Sequence, residues 1–232
     1  MSATATRNPQ DSAIRNLDRA LLLETLLAIR TTADPVPLGM AVRPIWSDRV
    51  SGRRASPYLR PDLTLLEQLE IDRATLEFAS QGLMIDSGVL VTPISFEVAS
   101  SSRGRAMLSD WMEAHSNALS SRIIFELVHL NAGTPRGRLQ EIASALTARS
   151  ARLMARAEPS RAMLALLRDC RVGSVSLDCS GTAPDDLPKL LKTFGNAAKP
   201  VAPVLCVLGL PDIAAAGAAR AAGFSHATVN SG

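Results

Sequence analysis

Glu126 lies in the middle of an apolar, β-branched run, Arg122-Ile-Ile-Phe-Glu-Leu-Val-His129. Such a run forms a strand covered on both faces. A carboxylate there needs a partner or a metal, because charged side chains are rarely buried otherwise. The chemistry on offer is metal ligation or acid–base work, with His129 and Asp178 as further candidates. A strand puts residues three apart on opposite faces, so Glu126 and His129 make a dyad only if a bulge intervenes. A barrel enzyme unrelated to known carboxylate sites, using Glu126, His129 and Asp178, is one reading of these residues. Arg156 closes another strand-like run, Arg152 to Ala157.

The elements that must hold these side chains alternate along the chain. Strand-like runs at 38–45, 89–98, 122–130, 152–157, 172–178, 201–208 and 226–229, with a weaker one at 55–60, are separated by helical patterns at 63–80, 103–118, 135–148, 160–171, 185–197 and 211–222. Some eight strands alternating with helices is the (β/α)8 pattern. An open doubly wound sheet is the alternative, but no Gly-x-Gly-x-x-Gly or Walker-type loop follows any strand. Before the first of these strands, Ile14, Leu17, Leu21, Leu22 and Leu26 recur at helical spacing. That spacing predicts an amphipathic helix over 11–33, packed on the barrel or offered to a partner. The expected organisation is a tail and helix over 1–35 and a barrel over 36–232.

Composition narrows the function classes. At 232 residues and 47% hydrophobic the chain suits one large domain. The net charge of +3 is interspersed and aromatics are 3% of residues, which disfavours nucleic-acid binding. Three scattered cysteines, Cys170, Cys179 and Cys206, read as buried small hydrophobes in a reduced, cytoplasmic protein. No apolar run reaches the length of about 18 residues that a membrane span requires.

In this order the elements resemble the EAL domain, the bacterial cyclic-di-GMP phosphodiesterase barrel, over about residues 13–232. Val42-Arg43-Pro44-Ile45 resembles its Gln-Pro-Ile strand, and Ser56-Pro57-Tyr58-Leu59-Arg60 stands where Glu-Ala-Leu-Leu-Arg is expected. Ile71-Asp72-Arg73 with Leu76 is similar to Ile-Asp-Arg-x-x-Leu, and Thr92-Pro93-Ile94-Ser95 to Val-Asn-Leu-Ser. Phe125-Glu126-Leu127-Val128-His129 matches Leu-Glu-Ile-Thr-Glu, and Val175-Ser176-Leu177-Asp178 matches Val-Lys-Ile-Asp.

The resemblance implies a TIM-like barrel and, in family enzymes, two divalent cations held by Glu, Asn, Glu, an Asp pair and a further Glu, with a Lys assisting water. Here those positions read Ser56, Pro93, Glu126, Ala155 with Arg156, and the 208–210 segment, with Ser176 for the Lys. Only Glu126 is kept, so the Mg or Mn site is expected to be lost and Glu126 to pair with an Arg or a backbone donor at the barrel mouth. The resemblance then implies a catalytically inactive domain that regulates through an unidentified protein partner. A cyclic-di-GMP receptor without hydrolysis is the alternative, with Arg43, Arg60 and Arg156, and more remotely Arg136, as phosphate contacts beside Glu126 and Asp178. An active phosphodiesterase is a minor alternative, and a homodimer is a further expected contact.

Overall fold

The computed structural model describes residues 17–29, 34–48, 54–60, 62–85, 88–117, 122–149, 152–170 and 172–229. Nine strands occur among them: β1 (Leu17–Ala28), β2 (Val36–Asp48), β3 (Arg54–Ala55), β4 (Val89–Ser95), β5 (Ile123–Val128), β6 (Arg152–Arg156), β7 (Ser174–Asp178), β8 (Val204–Leu210) and β9 (His226–Val229). The helices are α1 (Leu65–Ile85), α2 (Phe96–Ser100), α3 (Ser102–Ala114), α4 (Arg136–Thr147), α5 (Arg161–Asp169), α6 (Leu187–Ala198) and α7 (Ala215–Ala221). Neighbouring strands run β1-β9-β8-β7-β6-β5-β4-β2, and β1 pairs with β2 to close the ring. The result is an eight-stranded barrel with helices outside it, so the open-sheet alternative fails. Two-residue β3 is an antiparallel appendage on Trp46 and Ser47 of β2.

From β2 through β9 the strands around the ring are parallel, as helical crossovers require. β1 is the exception, antiparallel to both β2 and β9. The helix expected at 11–33 is therefore a strand over Leu17–Ala28; positions 11–16 and 30–33 lie outside the described residues. Leu-Leu-Leu-Glu-Thr-Leu-Leu satisfies a period of two as readily as one of 3.6. Leu26 faces the barrel interior with Ala41, Val91, Met154, Cys206 and Leu208, while Leu23 packs outward with Val42, Ala79 and Leu90. Backbone pairing on two sides outweighs the helix preference of Leu and Ala.

Two smaller differences concern strand ends. β4 stops at Ser95 and α2 begins at Phe96, so the expected strand over 89–98 is shorter. The expected strand at 55–60 is instead a 3₁₀ turn over Pro57–Leu59, with Ser56 as N-cap accepting from the Tyr58 amide at 3.3 Å. Pro57 at the first helical position supplies the preset φ such a turn needs.

Outside the barrel wall the core is mostly aliphatic: Ile94, Leu127, Leu139, Leu167, Leu191 and Val207 are buried between strands and helices, with Phe125 and Phe194 packed among them. Cys170, Cys179 and Cys206 are free thiols and buried, as small hydrophobes would be. No described helix is long and apolar enough to cross a membrane.

Deleting residues 1–28 should unpair β2 and β9 along their whole shared edges with β1. The expected outcome is loss of a cooperative thermal transition in circular dichroism; a truncated chain that melts like the full one would show that β1 does not hold the barrel closed.

Candidate functional site

The parallel strands point their C-terminal ends at one mouth, and six of the eight barrel strands send a polar side chain into it. Arg156, at the end of β6, sits between two carboxylates. Its Nε and Nη2 donate to the two oxygens of Glu126 on β5 at 3.0 and 2.6 Å, and its Nη1 donates to Asp178 Oδ2 on β7 at 2.9 Å. A fork matched to a carboxylate in this way is the strong form of the pair. Ser176 adds a hydroxyl donor to Glu126 Oε1 at 2.5 Å.

A second guanidinium extends the chain of charges. Arg43 on β2 donates through Nη2 to Asp178 Oδ1 at 2.9 Å and to Ser180 Oγ at 2.5 Å, and its Nε lies 3.6 Å from Glu24 Oε2 on β1. The Ser180 amide also donates to Asp178 Oδ1 at 2.9 Å. Thr228 on β9 donates to Glu24 at 2.5 Å and accepts from the Gly209 amide at 2.9 Å. Gly209 has φ +71°, and a Cβ there would meet Ser180 Oγ at 2.4 Å, so glycine makes the space in which Ser180 and Arg43 meet.

Two guanidiniums thus face three carboxyls, and all five side chains are almost fully buried. Burial pushes Asp178 up, but Arg43 and Arg156 outweigh it and hold its carboxyl well below the usual range. Burial also opposes the charge of Arg156, and Glu126 and Asp178 more than restore it. At Glu24 burial wins over Arg43 and Thr228, and the carboxyl is raised. Every oxygen of Glu126 and Asp178 already accepts from a donor. Among the described residues no group of three or more His, Cys, Asp and Glu side chains is placed to hold a metal ion.

Above this network opens a cavity of about 390 Å³. Tyr58, Arg60, Gln68, His129, Arg156 and Asp178 contribute to its lining, with Glu97 and Glu158 as acidic members. The Tyr58 ring lies 5.8 Å from the Arg156 guanidinium carbon and edge-on to His129 at 5.4 Å. His129 has φ +59°, a kink just past β5, and this turns its ring into the cavity rather than to the opposite face that a continuing strand would give. Burial and the charge of Arg156 lower its pKa to about 4, so the imidazole is neutral near pH 7.

Of the residues singled out in the sequence, Arg43, Arg156, Glu126 and Asp178 come together in one network. Arg60 lies apart from it on the cavity rim, with Nε on Asp62 at 2.9 Å, Nη2 also on Asp62, and the Trp46 ring 5.4 Å away. Arg136 is elsewhere, at the start of α4 against Asp169. Glu24, Ser180 and Thr228 were not foreseen. For Glu24 the same signal was present as for Glu126, one carboxylate in an apolar run.

No family model matches the sequence and no curated protein resembles it closely enough to register. Solved structures do match. An EAL domain protein from Listeria monocytogenes EGD-e aligns at a TM-score of 0.65 with 14% identity, over 99% of this chain and 92% of its own. The chain has the EAL-type fold. The EAL-type YkuI protein of Bacillus subtilis, solved with c-di-GMP and calcium, aligns at 0.66 with 12% identity, over 96% of this chain and 57% of its own, so this chain spans little more than half of that protein. The FimX EAL domain of Xanthomonas citri, in complex with c-di-GMP, aligns at 0.60 with 12% identity, over 95% of this chain and 88% of its own.

One further buried acid fixes the near wall of this EAL-type mouth. Asp72 on α1 accepts from Tyr58 Oη at 2.8 Å, the Ser95 amide at 2.8 Å and Ser95 Oγ at 3.2 Å, tying the 3₁₀ turn to the end of β4. Burial raises its pKa from 3.8 to about 7 despite those donors. The folded state therefore keeps a proton that the unfolded chain has lost. Its contribution to stability is full below the unfolded value and fades as pH rises through the folded one. Glu24 acts in the same sense. Melting temperature is expected to fall between about pH 4 and about pH 7, and Asp72→Asn to flatten that fall. An unchanged slope in the variant would remove Asp72 from this role.

Proposed function

We propose that the chain is a regulatory EAL-fold protein that does not hydrolyse cyclic-di-GMP and acts by binding another protein. The observation that carries this reading is the engagement of Arg156 with both Glu126 and Asp178. Metal-assisted phosphodiester cleavage needs carboxylate oxygens to hold the cations that activate water and clamp the leaving oxygen. Here those oxygens accept from guanidinium, hydroxyl and amide donors instead. Arg156 also places positive charge where a cation would have to approach, and Coulomb repulsion opposes the approach. Exposed apolar side chains support a protein partner: Leu59 lines the cavity at 48% exposure, and Leu65 and Leu66, at the start of α1, are 48% and 56% exposed.

A second reading, a cyclic-di-GMP receptor without hydrolysis, is favoured by the cavity itself and by the c-di-GMP complexes of YkuI and FimX. Arg60 is the guanidinium best placed to exchange its exposed partner, Asp62, for a phosphate. Against a phosphate ligand, Glu97 and Glu158 share the lining, and Arg43 and Arg156 are committed to buried carboxylates.

Two measurements separate these outcomes. With Mg²⁺ or Mn²⁺ the protein is expected to release no linear dinucleotide from cyclic-di-GMP; turnover abolished by Glu126→Gln would overturn the non-hydrolytic reading. Calorimetric titration with cyclic-di-GMP is expected to give no heat of binding. Saturable heat that Arg60→Ala removes would replace the protein-partner reading with the receptor.

A further inference from the structure

We propose that the Arg156 guanidinium is a resident cation, which closes the barrel mouth to divalent ions as long as it is present and leaves a latent cation site when it is removed. The inference rests on the non-hydrolytic reading of this mouth.

Three features make the exchange specific rather than a chance salt bridge. Position is the first. Arg156 comes from β6, the strand between those that carry Glu126 and Asp178, and Arg156 pairs with Ser176 across the β6–β7 ladder. Its side chain rises between the two carboxylates and touches both, as a bridging ion would. The second is burial. Arg156 is 8% exposed and the two acids are each about 2% exposed at the side chain. Charges this deep persist only when paired. The third is the surroundings of the two acids. Ser176 Oγ on Glu126 and the Ser180 amide on Asp178 hold the carboxylates from behind, so that their orientation does not depend on Arg156 alone.

Truncating Arg156 removes one positive charge and the donors to three carboxylate oxygens. Asp178 keeps Arg43 and Ser180, but Glu126 keeps only Ser176. Two buried anions across a side-chain-sized gap then repel each other, and a hard cation with oxygen preference relieves that repulsion. The wild-type chain has no such demand, since the guanidinium already meets it.

Terbium(III), a luminescent stand-in for calcium, suits the test because nearby aromatic rings sensitise its emission and Tyr58, the sole tyrosine of the chain, lies against Arg156. Wild-type protein is expected to give no saturable sensitised emission. Arg156→Ala should gain it, calcium should displace it, and the added substitution Glu126→Gln should abolish it. Saturable emission from the wild type that Glu126→Gln removes would overturn the proposal, as would a folded Arg156→Ala protein that stays dark. A second measurement needs no variant. The wild-type melting temperature should be the same in excess calcium as in excess chelator, and a rise in calcium would overturn the proposal. Because the readout is cation binding, an inactive protein whose wild-type form binds terbium would sink this inference and leave the non-hydrolytic reading standing.

Discussion

Arg156 spans Glu126 and Asp178 with three N–H donors, and all three side chains are almost fully buried at the barrel mouth. Removing one member of such a pair leaves an uncompensated buried charge, which costs about 3–5 kcal/mol. The surrounding architecture is arranged to avoid that cost. Arg43 balances the second oxygen of Asp178, Ser176 and Ser180 supply the remaining donors, and Gly209 gives up its side chain so that Ser180 and Arg43 can meet. Closure of the barrel by β1 belongs to the same arrangement, because β1 brings in Glu24 and pairs with β2 where Arg43 stands.

The same constraint decides what the mouth can do. Carboxylates that are fully paired are poor ligands and poor bases, since their lone pairs and charge are already used. What stays open above them is a cavity with a neutral imidazole, a phenol tied to Asp72, one exposed arginine and two acidic side chains. Leu59 adds an exposed apolar side chain to that lining.

Much of this was legible in the sequence, because barrels of this type are built from local signals. Apolar runs such as Ile123–Val128 and Val204–Leu210 show their strands directly, and caps and prolines bound the helices between them. The ring of polar residues was half legible. Glu126 and Asp178 stand out as carboxylates in or closing apolar strands, and Arg156 and Arg43 appear at positions where the family pattern expects other residues. Glu24 was hidden by the reading of its segment as a helix. A leucine-rich run with strong helix formers becomes a strand only because β2 and β9 supply backbone partners distant in sequence, and no local pattern reports that. The kink at His129 was equally invisible. Its ring enters the cavity through a positive φ that alternation along a strand cannot foresee.

Arg156 donates to both mouth carboxylates, Glu126 and Asp178, from the position a bridging metal ion would take. Anomalous diffraction from crystals grown or soaked in Mn²⁺ tests this most directly. Clear density is expected for Arg156 forked onto Glu126 and reaching Asp178, with no anomalous peak within coordinating distance of either acid. A manganese peak bonded to Glu126 and Asp178, with the Arg156 side chain turned away, would contradict it.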